Sequence, residues 1–390
     1  MKKFTIAIVC DPLTHLVAGS MISTIRFAAK LQERGHTIIL ITAQNGGPRG
    51  RSLWKGFRRY TFRSFILPGT SGQYPIAFAE KKSIRSILTE EAVEIVHTID
   101  PTPLSMTAIN AAKELGIKAV SHCHLQPENI SCQFPRMLNF KKFNDLIYRY
   151  ILWLYRKVDA VISPSEFGKT LLRNYDKDIR IEVVSNGVNL KKFRAERKTI
   201  HESEETQASM KDTVKKILFV GRLAGEKSVD TLVRALPLIS SSLPETHLNI
   251  VGSGPLEAKL KNLALRLNMS KRITFHGHVD DEHLLRLYSE STIFCLPSIA
   301  ELEGMVVLEA MACGKPILIS DSKDSASPSF VKRNGLTFHA KDPVDLAEKA
   351  LSLLSDPARC REMGAQSEEE VKRYDIEVSA NKLEQLYNSI

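Results

Sequence analysis

Residues 292–320 read TIFCLPSIAELEGMVVLEAMACGKPILIS. The apolar run Thr292 to Leu296 has the length of a buried strand and breaks at Pro297. A helix is expected from about Gly304 through EAMAC to Gly314, and PILISD then restarts as a strand. Strand, helix and strand in so short a space require a parallel crossover, because two parallel neighbours cannot be joined by a tight turn.

The same rhythm extends outward in both directions. KKILFVG, LNIVGSG, RITFHGHV and GLTFHA are strand-like in the second half, as are FTIAIV, HTIILIT, EIVHTI, KAVSHCH, DAVISPS and IEVVSN in the first. Amphipathic segments such as Ser20 to Arg34 separate them. Between Arg194 and Val214 the string RAERKTIHESEETQASMKDTV has no hydrophobic period and reads as a linker. The fold class is therefore α/β, with two doubly wound Rossmann-like domains: 1–193, a linker at 194–214, and 215–367. A ligand is expected in a cleft between facing strand ends. Residues 368–390 read as a terminal helix with Val371, Val378, Leu383 and Leu386 on one side, and its return to the first domain is left open.

Composition narrows the class of protein. No apolar segment approaches the roughly 20 residues that a membrane-spanning helix needs. Met1-Lys2-Lys3 followed by Phe4 to Cys10 imitates a signal peptide, but Asp11-Pro12 interrupts it, and Phe4 to Val9 reads as a strand. Six scattered cysteines without a CxxC pair suit reduced thiols and a cytoplasmic location. The net charge of +10 is wholly N-terminal: residues 1–193 carry 28 Lys and Arg against 15 Asp and Glu. Such a half is expected to meet a polyanion or an anionic membrane surface.

The chemistry gathers at strand ends. After Ile217 to Val220 comes Gly221-Arg222-Leu223-Ala224-Gly225-Glu226-Lys227, a turn bearing two cations suited to a diphosphate whose charge grows as a bond breaks. In the opening stretch, Gly304 is small enough for a phosphate to approach, and the helix behind it offers free amides. Glu301 in the loop and Glu309, about two turns into the helix, present carboxylates to hydroxyls. The combination points to a nucleotide sugar.

GRLAGEK, VGSGPL, FHGHV and the PSIAE…EAMACGKP block resemble, in order, the C-terminal domain of the retaining GT-B glycosyltransferases of family four. RGHTIILIT, EIVHTIDPTPL, DAVISPSEFGK and VVSNGVNLKKF resemble that family's first domain, so the resemblance covers nearly the whole chain. It implies that Arg222 and Lys227 hold the donor diphosphate, Glu309 the ribose and Glu301 the transferred sugar. Gly221 opens the turn, and Gly304, Met305 and Val306 offer amides. His276, Gly277, His278 and Val279 lie where the base is read. His124 matches the histidine near the reacting sugar, and His122 shares its face by alternation. Gly19 is the one glycine left of the usual pair, and Ser20 is expected to cap the next helix. The resemblance further implies retention through an oxocarbenium-like transition state, with no metal or other cofactor.

Lys227-Ser228 and the Ser325-Ala326-Ser327-Pro328 string look like the branch that glucosylates diacylglycerol. Two basic segments fit a lipid acceptor. Pro48 to Phe65 interleaves Arg49, Arg51, Lys55, Arg58 and Arg59 with Trp54 and Phe57 and is expected to contact membrane. Phe134 to Val158 reads as a basic amphipathic helix that either contacts membrane or packs on the sheet. Nucleic acid is not an expected partner, since it leaves the donor constellation without a role. The expected function is hexose transfer from a UDP-linked donor to a membrane lipid at the inner face. The alternatives are a glycan or soluble acceptor, or a non-catalytic nucleotide-sugar-binding or scaffolding protein. The oligomeric state is open.

Overall fold

The structure, a computed structural model, describes all residues except 1, 12, 14–18, 45–49, 67–74, 129–139 and 194–213. The chain divides into two compact units. Unit 1 comprises Met1–Pro127, Asn139–Gly187 and Ile376–Ile390, and unit 2 comprises Glu128–Leu138 and Val188–Asp375.

In unit 1, β1 (Thr5–Val9) is followed by α1 (Gly19–Glu33), β2 (Thr37–Ala43) and the hairpin β3 (Gly50–Trp54) and β4 (Phe57–Phe62). Next come a small pair, β5 (Ser64–Ile66) and β6 (Pro75–Ala77), then α2 (Lys81–Glu90), β7 (Ile95–Thr98), α3 (Pro103–Glu114) and β8 (Lys118–His122). The unit continues with α4 (Phe140–Tyr155), β9 (Ala160–Ser163), α5 (Glu166–Arg173) and β10 (Ile181–Val183). Eight strands form one sheet in the order β10-β9-β8-β7-β1-β2-β4-β3. Only the β3–β4 pair is antiparallel. Ile6 and Ile8 of β1 enter one apolar cluster, while Ala7 and Val9 enter another on the opposite face. That double burial explains why the strand reads as an unbroken apolar run. Because β1 pairs with β2 on one side and β7 on the other, the chain reverses direction across the sheet there. Its crevice lies beyond the carboxyl ends of β1 and β7.

Unit 2 repeats the plan. Its elements are β11 (Lys216–Val220), α6 (Val229–Ser242), β12 (His247–Val251), α7 (Glu257–Arg266), β13 (Ile273–Gly277), α8 (Asp281–Glu290) and β14 (Ile293–Leu296). They continue with β15 (Ala300–Glu301), α9 (Met305–Ala312), β16 (Ile317–Ser320), β17 (Asp324–Ser325), β18 (Gly335–Phe338), α10 (Pro343–Leu354) and α11 (Pro357–Glu370). The parallel sheet runs β13-β12-β11-β14-β16-β18, so its switch point falls between β11 and β14.

Residues 368–390 are not one helix. α11 ends at Glu370, a 3₁₀ turn spans Val371–Tyr374, and α12 (Ile376–Asn388) begins afresh. The break follows from two allegiances: Val371 is buried in the core of unit 2, whereas Ile376, Leu383 and Leu386 are buried in that of unit 1. Each such side chain contributes about 1.5–3 kcal/mol. Around them, Arg34 pairs with Glu377 at 2.6 Å and Glu384 at 2.5 Å, and Lys30 with Glu377 at 2.9 Å. Those partners hold the Glu377 carboxyl at about 2. The boundary expected at 193 falls instead at Gly187 and Val188. Val188, Leu190 and Phe193 pack into the core of unit 2 before the polar string begins.

Candidate active site

The β11 strand runs into Gly221, and the turn after it is clamped by the loop after β12. Leu223 N donates to Ser253 O at 2.9 Å, and Leu256 N to Leu223 O at 3.0 Å. Gly252 allows this approach: at φ +119°, a Cβ there would stand 2.1 Å from the Gly221 carbonyl oxygen. The clamp presents Arg222 and Lys227 beyond the strand end. Arg222 Nη2 donates to Glu226 Oε1 at 3.1 Å, with the arginine still about a third exposed. Lys227 Nζ donates to Glu301 Oε1 at 2.5 Å, with both side chains more than four-fifths buried. Ile299 N donates to Glu226 O at 2.8 Å, tying the β11 turn to the loop after β14. The two segments singled out by sequence thus meet at the switch point.

Glu301 is held in a short parallel ladder, Ala300 opposite Asp324 and Glu301 opposite Ser325. Beyond it the chain turns through Gly304, at φ +91°, where an added Cβ would lie 2.4 Å from Ser327 Oγ. That hydroxyl donates to Glu303 O at 3.2 Å. Gly304 therefore supplies both the left-handed turn and the room for Ser327, and Met305 and Val306 form the first turn of α9. Glu309 is its fifth residue, a little over one turn in rather than two. It is buried, and the Tyr288 hydroxyl stands 3.3 Å from its Oε2 and 3.2 Å from Val306 O. Tyr288 escaped the sequence reading because an aromatic residue on an amphipathic helix looks like core. The Oγ atoms of Ser298 and Ser320, at the ends of β14 and β16, are buried without a hydrogen-bond partner among the described residues.

At the expected base-reading segment, His276 Nε2 lies 2.9 Å from Asn249 Oδ1, and the His283 ring meets His276 edge-on at 5.5 Å. Burial, then His283, lowers the His276 pKa. Gly252 N donates to Gly277 O at 2.7 Å, and Val279 packs on the core. His278 follows β13 directly.

In unit 1, His124 stacks on His122 with centroids 4.1 Å apart, as alternation predicts. The sequence reading missed that His97, on β7, also stacks on His122 at 5.8 Å and that its Nδ1 lies 2.7 Å from the Tyr387 hydroxyl of α12. Burial holds His97 at about 3 and His124 at about 4, and drives His122 well below the ordinary range. All three are neutral imidazoles at physiological pH. Among the described residues no three His, Cys, Asp or Glu side chains gather to hold a metal ion. His124 Nε2 has no hydrogen-bond partner among the described residues.

Asp11 was also missed, its sequence context suggesting only an interrupted leader. It follows β1 at the switch point, accepting from Ala77 N and Thr102 Oγ1, each at 2.6 Å, and burial raises its pKa to about 7. Gly19 is exposed at the start of α1. Ser20 is the second residue of that helix, with its carbonyl accepting from Thr24 Oγ1, and so is not the cap.

The expected membrane segment is largely a hairpin. Phe57 is 4% exposed in the core and cannot contact a bilayer, and Trp54 packs against the same cluster. Arg58 pairs with the buried Glu91, which also accepts from Tyr60 at 2.5 Å, and Arg51 lies 3.7 Å away. Arg59 donates to Ser52 at 3.2 Å. Lys55 is exposed in the turn, and Arg49 lies outside the described residues. β4 pairs between β2 and β3 and is covered on both faces, with Phe57 entering one apolar cluster and Tyr60 and Phe62 the other. No described helix is long and apolar enough to cross a membrane. Cys10, Cys123, Cys295 and Cys360 are buried and form no disulfide, and Cys132 lies outside the described residues.

Two family models match the chain: "Glycosyltransferase Family 4" over residues 17–192 and "Glycosyl transferases group 1" over residues 201–370. Among relatives, the sulfoquinovosyl transferase SQD2 of Arabidopsis thaliana is 25% identical over 367 residues, covering 92% of this chain and 68% of that protein. The alpha-monoglucosyldiacylglycerol synthase of Streptococcus pneumoniae is 23% identical over 315 residues, covering 80% and 70%. The solved sucrose-phosphate synthase of Thermosynechococcus elongatus superposes with a TM-score of 0.78 at 21% identity, covering 99% of each chain. Anabaena HepE, solved in complex with UDP, gives 0.75 at 16% identity, covering 99% of this chain and all of its own.

Proposed function

Since this chain belongs to the GT-B glycosyltransferases, we propose that it moves a hexose from a UDP-linked donor to a membrane lipid such as diacylglycerol, with retention and without a metal ion. One observation carries the donor half of this reading: Arg222, Lys227, Glu301 and the first turn of α9 meet at the switch point of one parallel sheet. Two cations and a helix N-terminus neutralise the diphosphate as the sugar leaves, while Glu301 and Glu309 accept from sugar and ribose hydroxyls. The lipid half is supported by the name of the Streptococcus pneumoniae relative, a monoglucosyldiacylglycerol synthase, and the choice of UDP by the bound nucleotide of HepE.

In unit 1, His124 offers a neutral hydrogen-bonding group suited to a sugar hydroxyl, and Asp11 stands at the carboxyl edge of the sheet. The leaving phosphate oxygen takes the acceptor proton, so no protein nucleophile is required. The enzyme works peripherally at the inner face of a membrane. The test is product analysis with UDP-, GDP- and ADP-sugars in the presence of chelator. An α-hexosyl lipid from an α-linked UDP-sugar fits the reading; an inverted linkage or lost activity with chelator contradicts retention or metal independence, respectively.

A further inference from the structure

α4 carries two apolar faces, and only one of them is used inside unit 1. Tyr148, Ile151, Leu154 and Tyr155 are buried. On the other face, Phe143, Leu146, Tyr150 and Trp153 are 38, 64, 42 and 52% exposed. At 100° per residue these four fall within an arc of about 80°. Lys142 and Arg149 lie along one edge of the arc and are exposed, and Lys157 Nζ lies 4.7 Å over the Trp153 ring. Asp145, the one acid on the helix, accepts from Tyr175 at 2.8 Å.

A second exposed apolar group stands on the β5–β6 pair: Phe65, Ile66 and Phe78, with the two phenyl rings stacked at 5.6 Å. Both groups are tied to the carboxyl edge of the unit 1 sheet. Tyr150 donates to Pro101 O at 3.0 Å, just beyond β7, and Ala77 of β6 donates to Asp11, just beyond β1. That edge is where an open parallel sheet receives its ligand.

We propose that the outward face of α4, together with Phe65, Ile66 and Phe78, docks unit 1 onto an anionic lipid surface. Aromatic rings and a leucine enter the headgroup boundary, while Lys142, Arg149 and Lys157 meet the lipid charge. Charge complementarity selects this occupant, because the cations border the apolar arc and the helix's acid is already engaged. The proposal deepens the lipid-acceptor reading, but the binding it describes needs no donor.

The two tryptophans permit a direct test with the full-length chain and vesicles of phosphatidylcholine containing about one third phosphatidylglycerol. In Trp54→Phe, the remaining Trp153 emission is expected to shift to shorter wavelength on vesicle addition and to be quenched by brominated acyl chains. In Trp153→Phe, the emission of Trp54 stays unchanged. Leu146→Ser with Trp153→Ser lowers partitioning about tenfold or more, and Lys142→Gln with Arg149→Gln lowers it about thirtyfold at low salt. These side chains are exposed, so the melting temperature is expected to stay within a few degrees of wild type. Sedimentation with vesicles while Trp153 emission is unmoved places the contact elsewhere and overturns the proposal. So does absence of vesicle binding, or conversion of a dimer to a monomer by Leu146→Ser with vesicle binding unaltered. Docking through Trp153 without any hexosyl lipid product instead leaves this surface standing and removes the lipid-acceptor reading.

Discussion

Lys227 Nζ lies 2.5 Å from Glu301 Oε1, so the cation assigned to the donor diphosphate and the carboxylate assigned to the donor sugar are each other's partners. Both side chains are largely buried, and neither can leave the pair without a replacement. A nucleotide sugar supplies one replacement at each end: phosphate oxygens for the ammonium and hydroxyls for the carboxylate.

Replacing either member is therefore expected to do two things. Lys227→Ala should raise the barrier by about 2–4 kcal/mol, read as kcat/KM, and should also lower stability by leaving a buried charge unpaired. Lys227→Ala with Glu301→Gln should recover much of the stability and none of the turnover. Denaturant midpoints and steady-state rates for both variants check this, and near-normal turnover in Lys227→Ala would refute the assigned role.

Arg222 reaches Glu226 from a turn that leaves it partly exposed. Arg222→Lys keeps the charge but loses the planar fork, so kcat/KM is expected to fall nearly as far as in Arg222→Ala, by about 2–4 kcal/mol. Full activity in Arg222→Lys would show that only charge is required.

Gly304→Ala places a Cβ 2.4 Å from Ser327 Oγ at a φ of +91°. A loss of about 1–3 kcal/mol in stability is expected. Adding Ser327→Gly removes the clash but not the backbone strain, so only part of the loss should return. Thermal melts of the single and double variants measure that division.

The histidine stack predicts acid sensitivity. An unfolded histidine titrates near 6.5, whereas His97 and His124 are held at about 3 and about 4. Below about pH 6.5 the unfolded chain binds protons that the folded chain does not, so stability present at neutral pH is lost as pH falls toward 4. Each histidine contributes a slope of about 1.4 kcal/mol per pH unit in that window. Urea unfolding at several pH values should show a shallower slope in His122→Phe than in the wild type; equal slopes would contradict the assignment.

The sheets were legible because each apolar run is buried on both faces, and the donor side chains because they sit at strand ends with turn residues between them. Pairwise contacts were not legible. Nothing in FPRMLNFKKFNDLIYRYILWLYRKV says which aromatic residues face inward, and the β3–β4 hairpin carries the same residue types in a different period. Tyr387 reaches His97 across 290 positions, a pairing that local periodicity cannot reveal. Asp11, Tyr288, Ser298 and Ser320 were passed over because each looks ordinary until neighbouring strands bring its partners or an unused hydroxyl into view.

The most direct test is nucleotide diphosphate release from a panel of UDP-, GDP- and ADP-sugars, with and without anionic vesicles containing diacylglycerol, followed by mass spectrometry of the extracted lipids. The account predicts UDP release that depends on the vesicles, together with a hexosyl-lipid product. Measurable donor binding with no release from any donor, or release with no sugar on the lipid, would contradict it.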